Sequence, residues 1–217
     1  MNRRYSGIGM TSQRTRGRLI ERLREQGIQD EVVLAAMNAV PRHIFVDEAL
    51  ASRAYDDVSL PLGFGQTISQ PYIVAYMTEV LRPGSNKKAL EIGTGSGYQA
   101  AILAEVCEKV FTIEIVPELA KESSERLKKM GYKNVVCKYG DGYQGWPEYA
   151  PFDMIMVTAA PETIPRPLID QLAEGGRLII PVGAPAAVQE LILVTKKNGK
   201  TEQKRLTFVR FVPFKRL

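Results

Sequence analysis

The sequence lacks the features expected of a membrane, secreted or disulfide-rich protein. No apolar run approaches the ~20 residues that span a bilayer, and the first residues do not form the apolar stretch of a signal peptide. The two cysteines, Cys107 and Cys137, lie far apart without metal-ligand spacing, so neither a disulfide framework nor a zinc site is predicted. The single histidine, His43, stands in apolar surroundings, and we interpret it as structural. These shortages indicate a cytoplasmic protein with no metal and no membrane segment.

Charge is modest but unevenly distributed. The 217 residues suit one domain with a full core, and the net charge is only +5. Seven arginines nevertheless crowd the start of the chain: Arg3, Arg4, Arg14, Arg16, Arg18, Arg22 and Arg24. Such a cluster can be a nucleic-acid-binding arm or the solvated face of a helix, and we favour the solvated face.

Residues 88–98, KALEIGTGSGY, combine a short apolar run with three alternating glycines, and a helical pattern follows them. The order predicted is strand, glycine turn, helix, and the helix N-terminus offers unpaired N–H groups to a ligand. The dinucleotide fingerprint requires a different glycine spacing, and the phosphate loop of nucleotide hydrolases requires a Gly-Lys-Ser/Thr end that is absent. An acid, Glu91, precedes the first glycine instead.

This E-x-G-x-G-x-G pattern resembles the first motif of S-adenosylmethionine-dependent methyltransferases of the Rossmann-like class. A carboxylate at Glu91 suits a cofactor that carries an ammonium and a sulfonium group rather than a pyrophosphate. The alternative is a glycine turn that only connects a strand to a helix.

Before this turn the chain is predicted to be helical and irregular. The first ten residues read as a loose tail, and residues 11–26 form an amphipathic helix with Leu19, Ile20 and Leu23 inward and arginines outward. A second helix follows its N-cap, Asp30. Residues 59–77 then cluster glycines, prolines and polar side chains directly before a helix that begins at Pro71. This loop either caps that helix through its hydroxyls or closes over a ligand, and both interpretations stay open.

After the glycine turn the pattern alternates between strands and helices, as in a doubly wound domain. A strand over residues 110–115 carries Glu114 near its end, where an acid can bond both hydroxyls of a ribose. A helix over 117–130 and a strand over 134–139 lead to Asp141, which can read an adenine edge or cap a turn. The remaining elements are a strand over 152–157, a short helix over 165–172, a strand over 177–182, and strands over 191–195 and 206–211 that meet at Asn198-Gly199.

The predicted fold is therefore α/β: a Rossmann-like, doubly wound, mostly parallel seven-stranded sheet with an antiparallel C-terminal hairpin and an N-terminal helical extension. Residues 1–80 form the extension and an active-site loop, and residues 81–217 form the S-adenosylmethionine-binding domain. The two parts together make effectively one compact domain.

Six segments closely resemble the protein L-isoaspartyl O-methyltransferase family: VPRHIFV, SLPLGFGQTISQP, EIGTGSGYQAA, GDG, FDMIMVTAAP and GGRLIIPVG. The similarity runs from about residue 20 to residue 214 in the expected order. It implies a cytoplasmic, typically monomeric enzyme that transfers a methyl group from S-adenosylmethionine to the α-carboxylate of L-isoaspartyl residues, with D-aspartyl residues poorer substrates. The ester then collapses to a succinimide, which reopens partly as normal aspartate, so that damaged proteins and peptides are repaired.

The resemblance also implies residue roles. The active-site serine of the family maps onto Ser69, which we expect to orient the substrate carboxylate rather than act as a nucleophile. Cofactor contacts, with Glu91 added from the first motif, map onto Thr67, Ile68, Ser69, Glu91, Gly93, Thr94, Gly95, Ser96, Gly97, Glu114, Asp141 and Gly142. Family members often carry a longer segment after the Val-Pro motif at residues 212–213, so contacts from that region are left open.

Two rival functions remain as alternatives. An RNA or DNA methyltransferase could share the sheet, but enzymes that methylate base amines carry N/D-P-P-Y/F where this chain has Thr158-Ala159-Ala160-Pro161. Base-carbon methylation needs a nucleophilic cysteine, whereas Cys107 is predicted in a helix and Cys137 in a strand. The second rival is a binding module that keeps the cofactor fold without catalysis, and the intact serine loop argues against it.

Overall fold

The computed structural model describes residues 7–185 and 187–217. The predicted loose tail falls largely on residues 1–6, which lie outside the described residues. The helices are α1 (Gln13–Glu25), α2 (Glu31–Ala39), α3 (Pro71–Val80), α4 (Tyr98–Val106), α5 (Pro117–Met130) and α6 (Arg166–Asp170). Short 3₁₀ turns lie at Gly9–Thr11, Arg42–Phe45, Glu48–Arg53, Gly142–Gln144 and Pro147–Tyr149.

The strands form two sheets. β1 (Leu60–Gly63) and β2 (Gln66–Ile68) make a small antiparallel hairpin. The main sheet contains β3 (Lys88–Ile92), β4 (Lys109–Glu114), β5 (Val135–Tyr139), β6 (Phe152–Val157), β7 (Leu172–Val182), β8 (Gln189–Lys197) and β9 (Lys200–Val209). Its order is β5-β4-β3-β6-β7-β8-β9, parallel from β5 to β7 and antiparallel at β7–β8 and β8–β9. The predicted fold class is confirmed.

The C-terminal hairpin is longer than the sequence pattern predicted. β8 and β9 extend to a two-residue turn in which Asn198 has φ 53° and Gly199 has φ 69°, the left-handed pair that a type I′ turn requires. The Glu174 carboxylate accepts hydrogen bonds from both backbone N–H groups of this turn. The sequence pattern missed the ends of β8 and β9 near this turn, because their residues are polar, are largely exposed to solvent and show no alternation of apolar and polar side chains.

Two hydrophobic clusters cover the two faces of the main sheet. The larger one joins α1 to α4 with one face of the strands, through residues such as Leu23, Met37, Leu103 and Met154. The smaller one packs α6 and the Trp146 region on the other face. The N-terminal helices thus share a core with the sheet, which holds the loop between β2 and α3 against the carboxyl ends of the parallel strands.

The arginines of α1 do not all point outward, which corrects the sequence prediction. Arg16 is only 1% exposed, and its guanidinium donates to the carbonyls of Asn38 and Ala39 at the end of α2. Arg22 donates to the Tyr55 carbonyl at 2.8 Å. The last carbonyls of a helix have no partner within it, and the buried Arg16 guanidinium supplies a donor to two of them. These side chains tie the N-terminal helices together.

Helix α3 begins at Pro71, as predicted, with Gln70 at the N-cap position. Neither Ser69 nor Gln70 caps this helix through its side chain. Asp57 does so from the preceding loop: its Oδ1 accepts from the Tyr72 backbone N–H at 2.8 Å, and its Oδ2 accepts from Gln26 at 3.0 Å. Because Asp57 occupies the capping role, the side chain of Ser69 is left for another task.

Replacing Asp57 with alanine should destabilise the fold by about 1–2 kcal/mol, because the first turn of α3 loses its acceptor. The neighbouring Asp56→Ala variant is the matched control, since Asp56 makes only an exposed contact with Arg53 at 3.7 Å. The free energy of unfolding in urea measures both effects. Equal losses in the two variants would contradict the capping role of Asp57.

Candidate active site

A cleft opens at the carboxyl ends of β3, β4 and β6. Its walls are the glycine turn after β3, the end of β4, the loop between β2 and α3, the loop after β6, and residues 212–215. Counted with its open mouth and the solvent in it, the cleft holds about 750 Å³ of space not filled by protein atoms. Ligands of doubly wound sheets bind at this edge, so the position agrees with the predicted cofactor site.

The glycine turn is held by a threonine from another loop. Thr158 Oγ1 donates to the carbonyls of Ile92 and Gly93 at 3.0 and 2.7 Å. Gly93 has φ 96°, and a Cβ there would lie 2.3 Å from Thr158 Oγ1. Only glycine therefore fits at this position. Gly93, Thr94, Gly95 and Ser96 all line the cleft. Gly97 follows as the N-cap of α4 and does not line the cleft.

Glu114 is the carboxylate that faces this cleft. It is 5% exposed, its Oε2 accepts from the Gly95 N–H at 2.7 Å, and its Oε1 accepts from the Val116 N–H at 2.9 Å. These bonds set the orientation of the carboxylate. Each oxygen can accept a further hydrogen bond, so Glu114 is equipped to bind a pair of hydroxyl groups.

Glu91, one of the predicted cofactor contacts, lies behind the turn and does not line the cleft. It is fully buried, and Thr112 Oγ1 donates to its Oε2 at 2.5 Å, while Thr94 Oγ1 lies 2.6 Å from Thr112 Oγ1. Burial, with a smaller contribution from the negative charge of Glu114, raises the pKa of Glu91 to about 8 despite the Thr112 hydrogen bond. Its carboxyl is therefore protonated at neutral pH and supports Thr94 through Thr112 without supplying charge.

Asp141 and Gly142 lie at the end of β5, beside a small apolar side chamber. Gly142 lines this chamber, and a Cβ there would meet Ile92 Cγ2 at 2.3 Å. Asp141 does not line the chamber. Its Oδ1 accepts from the Tyr143 N–H at 2.9 Å and its Oδ2 accepts from Arg216 at 2.7 Å. The chamber adjoins the cleft, since Gly93, Ile115, Ala159 and Lys215 line both.

The loop between β2 and α3 separates the cleft from a second, more open groove. Ile68 is buried, Thr67 is exposed, and Ser69 is half-buried with no hydrogen bond from its hydroxyl to any described residue. The side chains that line both spaces are Thr67, Ser69, Ile73, Thr158 and Val212. Ser69 thus stands where the two spaces meet, with its hydroxyl available to a ligand.

Several residues of this site escaped the sequence analysis. Thr158 follows the fourth strand directly, and the rule that ligands bind beyond the carboxyl ends of parallel strands could have identified it. Arg210 and Lys215 belong to the last part of the chain, and no local pattern marks them. They reach the groove and the cleft only because residues 209–215 return across the edge of the sheet.

The two thiols and the single histidine lie away from the cleft. Cys107 is the extended residue that ends α4, rather than a helical one, and burial raises the pKa of its thiol to about 12. Cys137 lies on β5, where burial also raises its thiol pKa. His43 bonds the Tyr55 hydroxyl at 2.8 Å. Among the described residues, no group of three or more histidine, cysteine or acidic side chains could hold a metal, and no helix is long and apolar enough to cross a bilayer.

Comparisons with known proteins give one consistent family. A family model described as "Protein-L-isoaspartate(D-aspartate) O-methyltransferase" matches residues 14–216. Proteins named "Protein-L-isoaspartate O-methyltransferase" from Halorhodospira halophila and Opitutus terrae are 56% and 58% identical, over 97% and 90% of this chain and 96% and 84% of theirs.

Solved structures agree with this result. A structure named protein-L-isoaspartate O-methyltransferase has a TM-score of 0.83 at 30% identity over 91% of this chain, which spans 65% of that protein's length. A Plasmodium falciparum protein described as a putative protein-L-isoaspartate O-methyltransferase, in complex with S-adenosyl-L-homocysteine, has a TM-score of 0.78 at 31% identity, over 93% of this chain and 99% of its own.

The buried carboxyl of Glu91 predicts a pH-dependent stability. Between pH 4.5, the ordinary pKa of a glutamate, and pH about 8, the carboxyl of Glu91 is protonated in the folded protein and ionised in the unfolded chain. Raising the pH through that window therefore lowers the free energy of unfolding by about 1.4 kcal/mol per pH unit. Glu91→Gln should remove this part of the pH dependence and be at least as stable as the wild type at pH ~8.5.

Urea denaturation of both proteins at several pH values measures this difference. Glu118→Gln, on the exposed side of α5, is the control and should follow the wild-type curve. A Glu91→Gln protein with an unchanged pH slope would show that this carboxyl is ionised in the fold.

Proposed function

The chain belongs to the protein-L-isoaspartate(D-aspartate) O-methyltransferase family, and we propose that it methylates the α-carboxylate of L-isoaspartyl residues in damaged proteins and peptides with S-adenosylmethionine. D-Aspartyl residues are poorer substrates, and the ester collapses to a succinimide that reopens partly as normal aspartate. The observation that carries this proposal is the position of Ser69, whose hydroxyl bonds no described residue and stands between the cleft and the more open groove.

The cleft residues fit S-adenosylmethionine, which when bound supplies an electrophilic methyl group on a sulfonium. The spare acceptor sites of Glu114 suit the two ribose hydroxyls, and the backbone from Gly93 to Ser96 suits the amino-acid part. The apolar side chamber over Gly142, with the Asp141 carboxylate beside it, suits the flat face and amine edge of adenine. Thr67 and Ile68 close the cleft from the side of the β1–β2 hairpin.

The open groove suits an acidic group carried on a peptide. Arg210 is the one cationic side chain among the described residues that line it, and this positive charge favours a carboxylate. Two of the apolar side chains that line it are strongly exposed, Val188 with 50% and Phe208 with 71% of its surface. Exposed apolar surface beside a polar pocket is typical of a protein-binding site, so the groove fits a polypeptide better than a free small acid.

The proposed chemistry needs orientation rather than a strong base. A carboxylate is already ionised at neutral pH, and among the described groove-lining residues no histidine or acid is present to act as a base. Holding nucleophile, methyl carbon and leaving sulfur in line can contribute up to roughly 7–11 kcal/mol. Ser69 is suited to this task, since its hydroxyl can donate to one carboxylate oxygen and present the other to the cleft without adding charge.

Nucleic-acid methylation is disfavoured by the places of the N-terminal arginines. Arg16 and Arg22 are bonded to backbone carbonyls, and Arg24 pairs with Glu31 at 2.6 Å. Arg3 and Arg4 lie outside the described residues. None of the described N-terminal arginines lines the cleft or the groove, so none is placed to guide phosphates to the methyl donor.

Three further assignments complete the proposal. Residues 1–80 serve as an extension that carries the Ser69 loop, while residues 81–217 bind the cofactor. The enzyme acts as a monomer in the cytoplasm, where its two unpaired thiols suit a reducing environment. Sedimentation equilibrium measures the assembly state, and a dimer at micromolar concentration would refute the monomer.

Two matched peptides test the reaction. One carries L-isoaspartate and the other normal aspartate in the same sequence, and each is incubated with enzyme and radiolabelled S-adenosylmethionine. We expect label on the isoaspartyl peptide alone, lost under mild base as an ester should be. Equal labelling of both peptides, or base-stable label, would contradict the proposed substrate.

Ser69→Ala tests the orienting role. Removing the hydroxyl should lower kcat about 10- to 100-fold, the effect of losing one hydrogen bond to a charged group, and leave cofactor affinity nearly unchanged. Ser85→Ala, in an exposed turn before β3, is the control and should match the wild type in both quantities. Steady-state kinetics and calorimetry measure the two effects. Weak cofactor binding with normal kcat at saturation would refute this role.

A further inference from the structure

Residues 212–216, the strap, cross the carboxyl edge of the sheet above the cofactor cleft. Near its start the strap is bonded through its backbone to the loop after β6. The Ala160 N–H donates to the Val212 carbonyl at 2.8 Å, and the Phe214 N–H donates to the Ala160 carbonyl at 3.0 Å. These two bonds form a parallel β-bridge. The first attachment of the strap therefore consists of backbone hydrogen bonds.

The other attachment is made by side chains at the loop after β5. Arg216 Nε donates to Asp141 Oδ2 at 2.7 Å, and the guanidinium carbon lies 3.7 Å from the centre of the Tyr143 ring. The Phe214 ring also contacts Tyr143, edge to face, with centroids 6.5 Å apart. The strap thus spans from β6 to β5 and passes over the ends of β3 and β4, which lie between them in the sheet.

The space under the strap is the space assigned to the cofactor. Pro213 and Lys215 line the main cleft, and Phe214 with Lys215 lines the side chamber over Gly142. A ligand that fills both spaces lies beneath these residues. It cannot pass across this edge of the cleft unless the strap lifts.

The two attachments differ in strength. The exposed fraction of the side chain is 50% for Arg216 and 18% for Asp141, so water and salt can reach this ion pair. Exposed ion pairs are weak and are screened by salt, whereas the stacking of Arg216 on Tyr143 adds a modest attraction. The Arg216 attachment should open first, with the β-bridge at Ala160 acting as the hinge.

The closed strap is compatible with a bound cofactor. Asp141 Oδ1 accepts from the Tyr143 N–H, Oδ2 accepts from Arg216, and the Leu217 backbone N–H contributes a weaker bond to this carboxylate. A carboxylate has about four acceptor positions, so one remains for a ligand. Asp141 can therefore hold Arg216 and accept from a ligand amine at the same time. Loss of Arg216 is then expected to speed exchange of the cofactor while leaving its binding site intact.

Building on the cofactor assignment above, we propose that the strap closes over bound cofactor and that Arg216 is its latch. Release of Arg216 from Asp141 and Tyr143 sets the rate at which S-adenosylmethionine enters and S-adenosylhomocysteine leaves. Arg216 is thus a positioning residue that acts through the strap and touches neither reacting atom.

The test measures association and dissociation rates of S-adenosylhomocysteine on the full chain by surface plasmon resonance. Arg216→Ala should raise the dissociation rate about tenfold and also raise the association rate. Arg216→Lys keeps the charge but loses the planar stack, so its rates should lie between those of the wild type and alanine. Arg205→Ala is the matched control, because Arg205 makes a similar exposed pair with Glu190 at 3.1 Å on the C-terminal hairpin.

Salt separates a latch from a general loss of structure. Raising the salt from about 0.05 to about 0.5 M should speed dissociation from the wild type and from Arg205→Ala, but not from Arg216→Ala.

Unchanged rates in Arg216→Ala would overturn the latch and leave the enzyme assignment standing. A faster association with unchanged dissociation would overturn it too, since the strap would then be a plug that the cofactor displaces. Failure of the wild type to bind S-adenosylhomocysteine would overturn the cofactor assignment itself.

Discussion

The hydroxyl of Thr158 connects the two parallel strands on which the active site is built. By donating to the carbonyls of Ile92 and Gly93, it joins the end of β6 to the turn after β3. The Gly93 and Thr94 N–H groups bond the Ile113 carbonyl of β4, so that three strand ends are fixed to one another. The close approach of Thr158 requires glycine at position 93. The bare backbone of this turn then faces the cleft, which suits it to bind a polar cofactor.

Behind this turn lies a buried row of hydrogen-bonded polar side chains, which holds the turn in place without adding charge. Glu91, Thr112 and Thr94 follow one another through short contacts, and the carboxyl at the end of the chain is neutral because burial raises its pKa. An ionised Glu91 would place a second negative charge close to Glu114. With Glu91 protonated, Glu114 keeps its negative charge at the cleft without a like charge close behind it.

The serine loop and the strap both depend on contacts made elsewhere in the chain. Asp57 caps α3, and the Ser69 hydroxyl bonds none of the residues that the structure describes. On the opposite side, Asp141 caps a short turn with one oxygen and holds Arg216 with the other. In both places, the hydrogen bonds of an aspartate on a neighbouring loop fix a segment beside the cleft: Asp57 fixes the start of α3, and Asp141 fixes the end of the strap.

The order of strands and helices was predictable because it rests on local patterns. Apolar runs, the helix start at Pro117 and the left-handed Gly131 after Met130 bounded α5 as the structure has it, and the Asn198-Gly199 turn located the hairpin. Glycines and acids at strand ends located Glu114 and the turn after β3, since parallel strands place those ends together. These features depend on neighbouring residues and on the periodicity of the chain.

The direction in which each polar group faces was decided by the tertiary structure. Glu91 and Glu114 both belong to strands at the cofactor edge, yet one is sealed behind Thr94 and the other faces the cleft. Arg16 is buried because the end of α2 lies beside it, and Arg216 reaches Asp141 across 75 positions of sequence. The sequence by itself determined the family, the helices and the strands of the main sheet with their order, but not the small β1–β2 hairpin, where the pattern predicted a loop. The packing of distant segments decided which side chains meet, because burial and hydrogen bonding depend on neighbours in space.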